Sequence, residues 1–163
     1  HLLPSTSKYL DEKEFAKVYL GWTKEGLSFS FDVKSDIQKS KIELFLDTRN
    51  IKNHYITKFC HHFLIIPEGK EISEVTRFRN DDMHPLAKKE DFDLFLKKKK
   101  DSYVLDLFIK KEALYGYDEE KFDRLGFTYK ITRQNYPSQN FSVSEEECSI
   151  DKNPFFWATG VFK

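Results

Sequence analysis

The chain has 163 residues, a length that indicates one folded domain. Its 16 Phe, 8 Tyr and 2 Trp, set against only 6 Gly and 1 Met, favour β structure, because aromatic side chains suit pleated and half-buried surfaces. The 27 basic residues equal the 27 acidic ones. A protein whose main partner is nucleic acid or an anionic membrane would be expected to have an excess of basic residues, so the balance argues against both partners.

Cysteine content and hydropathy limit the setting further. Cys60 and Cys148 allow one disulfide, but Cys60 lies in an apolar stretch, where a buried and unreactive thiol is expected. No apolar run approaches the roughly 20 residues of a membrane-spanning helix, so membrane insertion is not expected. No secretory signal is visible, which favours a cytoplasmic setting, but a chain that begins at His1 could also be a processed protein or a fragment of a longer one. Nothing in it indicates an oligomeric state.

The first part of the chain predicts a lead-in followed by a hairpin. Residues 1–14 are interpreted as the lead-in and residues 15–163 as one β-sandwich domain. Residues 15–22 alternate as a strand does, and Gly26 supplies the turn before residues 27–33, the clearest amphipathic strand of the chain.

Residues 41–67 predict a central pair of strands. Residues 41–47 alternate apolar and polar side chains, whereas residues 58–66 are apolar on both sides except at His61 and His62. A strand that is apolar on both faces is expected in the interior of a sheet. Adjacent strand residues point to opposite faces, so we expect at most one of the two histidines in any given site.

The remaining chain predicts further short strands. They are expected at residues 74–79, at residues 92–96 and 103–110 as a hairpin, at residues 126–133, and at residues 154–162. The lysines at 97–100 are expected in the exposed turn of that hairpin, and residues 134–153 in a long polar connection. Residues 111–125 show helical spacing interrupted by Gly116. About nine strands with little helix predict an all-β, antiparallel sandwich of jelly-roll or immunoglobulin-like type.

Five stretches, in this order, carry a resemblance to a known family: LGWTKEGLSFSFDV, KIELFLDTRN, SYVLDLFIKKEALYGYD, LGFTYKIT and NPFFWATGVF. Over residues 15–162 the chain resembles family 9 carbohydrate-binding modules and the related DOMON-like domains. The resemblance implies a non-catalytic sandwich that binds a sugar, or haem in some DOMON relatives, with structural calcium in some members. Trp22 and Trp157 each lie in a predicted apolar strand and are interpreted as core residues.

One set of polar residues could form a ligand-binding patch. If the strands at 41–47, 58–66 and 74–79 are neighbours, their arginines and histidines meet beside the loop at 80–85. The guanidinium fork suits carboxylates, phosphates and sugar hydroxyls. The patch would comprise Arg49, His61 or His62, Arg77, Arg79 and His84. The alternative is that these arginines pair with Asp47, Asp81 and Asp82 and only lock the loops.

Metal and aromatic candidates complete the prediction. Asp81 and Asp82 could bind calcium, and no other cofactor is expected, because no His-x-Asp or His-x-Glu pair for iron occurs and Met83 is the one methionine available to haem. Loop tyrosines could stack on a sugar ring, with Tyr117 and Tyr136 the preferred contacts over Tyr55 and Tyr115.

Three functions therefore remain open from the sequence. The first is a non-catalytic binding module for a carbohydrate or a related small polar ligand, with Arg49, His61, Arg77, Arg79, His84, Tyr117 and Tyr136 as contacts. The second is a protein-interaction or structural domain without a small-molecule site. The third is a metal-dependent enzyme built around His61 or His62 together with His84.

Overall fold

The computed structural model describes residues 1–75, 83–144 and 149–163, and it shows two antiparallel sheets packed face to face. The first sheet has four strands. In spatial order they are β1 (Ala16–Thr23), β2 (Gly26–Val33), β7 (Ser102–Lys110) and β6 (Phe92–Lys99).

The second sheet has six strands. In spatial order they are β10 (Ala158–Val161), β8 (Arg124–Arg133), β3 (Lys41–Asp47), β4 (Cys60–Ile66) and β5 (Glu71–Glu74), and β9 (Tyr136–Asn140) also pairs with β8. The prediction of an all-β antiparallel sandwich is confirmed. The strand at residues 58–66, predicted to be interior because both of its faces are apolar, corresponds to β4 between β3 and β5.

The main core lies between the two sheets. Strand β2 shows how the sequence builds it: Leu27, Phe29, Phe31 and Val33 are buried, and the residues between them face outward. Strand β3 contributes its own alternating apolar side chains from the opposite sheet. Each fully buried side chain of this kind stabilises the fold by about 2 kcal/mol, so the sandwich is held chiefly by this layer.

A smaller apolar cluster covers the outer side of β3 and β4. It consists of Phe45, Cys60, Val143, Ile150 and Trp157. The Trp157 indole N–H donates to the Ile150 carbonyl at 2.7 Å, which satisfies the polar atom of a fully buried ring. This cluster explains why β4 is apolar on both faces. It also confirms Trp157 as a core residue.

Trp22 meets its core prediction only in part. It packs against the main core from near the end of β1 but is only partly buried, and its ring stacks on the His1 ring at 4.9 Å and contacts Phe162 at 5.3 Å. The segment before β1 is attached to the domain. The Leu3 amide donates to the Val18 carbonyl, and the Glu12 carboxylate accepts a hydrogen bond from the Asn140 amide.

Three sequence expectations about strands need correction. Residues 97–99 belong to β6 and pair with β7, because the hairpin turn is shorter than expected. The connection at 134–153 contains β9 and buried side chains of the smaller cluster. The final segment begins as a 3-10 helix at Pro154–Phe156, and only Ala158–Val161 forms a strand.

Helical structure is limited to short turns in the part of the chain that the structure describes. The helical spacing after residue 110 yields one 3-10 turn at Lys111–Ala113. None of the described helices is long or apolar enough to cross a membrane.

Candidate functional site

The outward face of the four-stranded sheet carries an ordered set of aromatic and polar side chains. Cross-strand register places them in two rows that run across all four strands. The first row is Tyr19, Ser30, Asp106 and Phe95, and the second is Gly21, Ser28, Phe108 and Asp93. Because these residues alternate with core positions, the strands that build the sandwich also create this face.

The two rows line an open groove of about 730 Å³. We call it the outer-sheet groove and define it by these eight residues. Gly21, Ser28 and Ser30 are small, so the space between the flanking rings stays open. Tyr19, 37% exposed, and Phe95, 64% exposed, stand on the two edge strands. Three strand spacings separate them, a width of about 14 Å that exceeds one sugar ring.

The polar groups of the outer-sheet groove are available to a ligand. Asp93 and Asp106 are exposed and occupy diagonal positions on β6 and β7. Within the described residues, neither carboxylate has a side-chain hydrogen bond or an ion pair. The groove therefore offers carboxylate and hydroxyl acceptors between aromatic faces, a combination that suits a polyhydroxylated ligand with apolar ring faces.

A second cluster lies in the interior, at the end of the six-stranded sheet. His61 on β4 and His84 both approach one oxygen of Glu74, at the end of β5. The distances to Glu74 Oε1 are 2.7 Å from His61 Nδ1 and 2.8 Å from His84 Nε2. All three side chains are essentially inaccessible to solvent. We call these residues the His61–Glu74–His84 cluster.

Hydrogen bonding governs the charge of this cluster. Burial alone would raise the pKa of Glu74, but the hydrogen bonds from His61, His84 and the Ala87 amide outweigh it and hold that pKa at about 2. Burial lowers the pKa of His61, against the opposing effect of the Glu74 carboxylate. The carboxylate is thus ionised at neutral pH.

The two adjacent histidines do point to opposite faces, as expected. His62 stacks on Phe45 at 4.3 Å in the smaller apolar cluster, and its Nε2 lies 3.2 Å from Glu43 Oε1. His62 is therefore separate from the His61–Glu74–His84 cluster. Glu74, which completes that cluster, was missed because a lone glutamate at a strand end has no spacing signal.

The predicted contacts Arg49 and Tyr117 are engaged within the fold. The Arg49 guanidinium lies over the Phe122 ring at 3.6 Å. The Tyr117 hydroxyl donates to the Thr23 carbonyl at 2.9 Å, and burial raises the pKa of that hydroxyl. His61 and His84 are buried and do not face the surface. Ligand contact by these four residues stays a prediction, and their placement favours structural roles.

Tyr136 has the exposure that a stacking residue needs. It is 66% exposed at the start of β9 and borders a polar hollow of about 580 Å³ at one end of the sandwich. Arg133 lies between the Tyr136 ring, at 5.1 Å, and the Phe15 ring, at 3.5 Å. The hollow has one exposed aromatic ring where the outer-sheet groove has two opposed rings, so it is the weaker sugar site.

Four predicted residues lie outside the described residues. They are Arg77, Arg79, Asp81 and Asp82. The predicted calcium site and the arginine contacts therefore stay predictions. The residues of the outer-sheet groove were missed for a different reason. The aromatic residues Tyr19, Phe95 and Phe108 lie at outward-facing positions of strands whose side chains alternate between core and surface. That they share one surface can be recognised only once the strand order is known.

No protein-family model and no curated protein matches the sequence. Among solved structures, a family 9 carbohydrate-binding module from Caldicellulosiruptor kristjanssonii is similar to this chain. Its complex with cellotriose matches at a TM-score of 0.69 and 15% identity, over 91% of this chain and 74% of the module. Its complex with glucose gives the same TM-score and identity, over 91% of this chain and 76% of the module. The chain therefore has the β-sandwich fold of family 9 carbohydrate-binding modules, as the order of its sequence motifs predicts.

Proposed function

We propose that the chain is a non-catalytic carbohydrate-binding module that holds an oligosaccharide in the outer-sheet groove. The observation that carries this proposal is the pair of exposed rings, Tyr19 and Phe95, on either side of a floor of small and acidic side chains. Aromatic faces cover the apolar faces of sugar rings, and carboxylates accept hydrogen bonds from hydroxyls. The sugar complexes of the structurally similar module support the same class of ligand.

The groove also indicates which oligosaccharides fit. Its width of about 14 Å accommodates more than one ring across the strands. Asp93 and Asp106 repel uronic acids and sulfated sugars, since like charges brought into contact across an interface are unfavourable. A neutral oligosaccharide of two or more rings is the ligand class that satisfies both constraints.

Binding without hydrolysis agrees with the environment of the two carboxylates. A glycoside hydrolase needs one carboxyl group held protonated, which requires a desolvating pocket around it. Asp93 and Asp106 are both exposed on an open face. The groove lacks that environment, so binding is the function that its chemistry supports.

Strand addition by a protein partner is the competing use of this face, because β6 is an edge strand. The lysines at residues 97–99 lie along that edge, and charged side chains of this kind protect edges from pairing. These lysines disfavour pairing of a partner's strand with β6. Sugar binding in the outer-sheet groove is therefore the favoured use of this face.

Calorimetric titration with a panel of neutral oligosaccharides, cellotriose among them, tests the proposal. A matched panel of oligogalacturonates supplies the anionic comparison. We expect measurable binding of at least one neutral trisaccharide and none of the anionic series. If no neutral sugar binds, or if an anionic series binds better, the proposal is wrong.

A further inference from the structure

The His61–Glu74–His84 cluster has a feature that the sugar-binding proposal does not use. One ligand atom from each residue lies within 4.8 Å of the other two. The side chains come from β4, from the end of β5 and from the segment after residue 82, so the fold itself brings them together. Two imidazoles and one carboxylate form a donor set that divalent transition metals prefer.

The nitrogens that face away from Glu74 show how the cluster is arranged. His84 Nδ1 lies 2.6 Å from the Lys58 carbonyl oxygen, and His61 Nε2 lies 3.5 Å from the Tyr115 carbonyl oxygen. A carbonyl oxygen only accepts, so the His84 Nδ1 atom must carry a proton. In a neutral His84 ring the nitrogen that faces Glu74 would then present a lone pair.

That lone pair faces Glu74 Oε1 at 2.8 Å. Two acceptors at this distance repel each other unless a positive centre lies between them. The centre is either a proton shared by the two atoms or a metal ion. Histidine ligands of metals commonly donate their outer N–H to a backbone carbonyl, which is the arrangement of His84 and Lys58.

We propose that the His61–Glu74–His84 cluster is a buried structural site for a divalent transition metal, zinc by its ligand chemistry. The three residues would fill three positions of a tetrahedral zinc site, and a water molecule would fill the fourth. In such a site, ligand atoms lie about 3.4 Å apart, as follows from metal–ligand bonds of about 2.1 Å. The present separations of 2.7 and 2.8 Å would open by about 0.6 Å when a metal ion enters the cluster.

The surroundings hold the three ligands in place. The second oxygen of Glu74 accepts the Ala87 amide at 2.7 Å. The His61 and His84 rings lie 4.3 Å apart, and His84 stacks on Tyr115 at 5.8 Å. Because the cluster is closed to solvent, an ion there would tie β4, β5 and the segment at His84 together and would not meet a substrate. This site is independent of the outer-sheet groove.

Zinc binding by the whole chain tests the proposal. The protein is stripped with a chelator, and zinc is titrated in competition with a chromophoric chelator. We expect one zinc ion per chain. His84→Gln and Glu74→Gln should weaken zinc binding by at least about 100-fold, since they remove ligands and not merely supporting groups. His62→Gln is the matched control: it changes the adjacent histidine on the opposite face and should leave affinity within about threefold.

Two further measurements on the wild-type chain test the proposal if a buried variant does not fold. X-ray absorption of the zinc-loaded wild-type chain should show two imidazole ligands and an oxygen ligand, and cobalt substitution should give the absorption bands of a tetrahedral site. Absence of stoichiometric zinc binding, an absorption spectrum without two imidazoles, or equal loss of affinity in His62→Gln would each overturn the proposal. The proton would then be the positive centre.

Discussion

Replacement of Phe95 by alanine should weaken oligosaccharide binding about tenfold while the fold persists. Phe95 is 64% exposed, and an aromatic side chain presents about 200 Å² in total, so about 130 Å² of this one faces solvent. A sugar ring stacked on one face covers about half of that area. At about 25 cal/mol per Å², the lost contact is worth about 1.5 kcal/mol, which is about a tenfold change in Kd.

Isothermal titration calorimetry with cellotriose, or with the best ligand of the neutral panel, measures this change. Tyr9→Ala is the matched control, because Tyr9 is 88% exposed but lies outside the outer-sheet groove. Thermal unfolding should show that both variants stay folded, since exposed side chains contribute little to stability. Equal affinities of Phe95→Ala and wild type would refute the assignment of the groove, and a loss in Tyr9→Ala would place the ligand elsewhere.

Three other predictions concern the outer-sheet groove, the ion pairs of Glu43 and the first hairpin. Asp106→Asn should weaken the binding of neutral oligosaccharides about five- to tenfold in the same titration, because a charged acceptor is lost from the groove floor. The variant should also discriminate less against oligogalacturonates. Unchanged selectivity would contradict the proposal that the carboxylates exclude anionic sugars. Burial would raise the pKa of Glu43, but hydrogen bonds from His62 and Lys41 outweigh it and hold that pKa at about 2, below its ordinary 4.5. The stability that ionised Glu43 contributes is therefore present above pH 4.5 and is lost as the pH falls towards 2. Urea unfolding of Glu43→Gln and wild type should therefore differ at pH 6 and converge near pH 2, and a constant difference would contradict this. Gly26→Ala should destabilise the domain by about 2 kcal/mol or more in urea unfolding, because Gly26 has φ of 146° and an added Cβ would overlap the Ile109 carbonyl oxygen. Gly69→Ala is the control. It should destabilise the domain less, since the added Cβ meets only the flexible Glu71 side chain.

Most strands of the fold can be predicted from the alternation of apolar and polar residues in the sequence. The alternation at residues 27–33 and 41–47 predicts β2 and β3 almost to the residue, because one face of each strand packs in a single core. Gly26 was correctly placed at the first hairpin, since its backbone conformation is one that side chains rarely adopt. The balance of strand and helix follows from these local patterns.

Long-range pairing is what the sequence could not supply. Residues 136–140 have the composition of a polar loop, yet they form β9, which pairs with β8. The amide of the buried Gln139 also bonds the backbone of Phe15 and Ala16 in a distant part of the chain. The same limit applies to the sites. His61 and His84 were singled out, but their meeting with Glu74 depends on the pairing of β4 with β5.

The outer-sheet groove illustrates this limit most clearly. Tyr19 and Phe95 are 76 positions apart in the sequence, and only the strand order β1-β2-β7-β6 places them on opposite sides of one floor. Exposed loop tyrosines were the natural sequence candidates for stacking. The structure instead offers rings on strands, where rigid backbone positions them better than a loop does.

Amide chemical-shift mapping of the labelled chain during titration with cellotriose, or with the best neutral ligand, would locate the bound sugar on the fold. We expect the perturbed amides to cluster on β1, β2, β6 and β7 around Tyr19, Phe108 and Phe95, and the six-stranded sheet to be unaffected. Perturbations centred on the hollow beside Tyr136, or on the loops near Arg49, would contradict the assignment of the groove. Absence of any perturbation across the neutral panel would contradict carbohydrate binding itself.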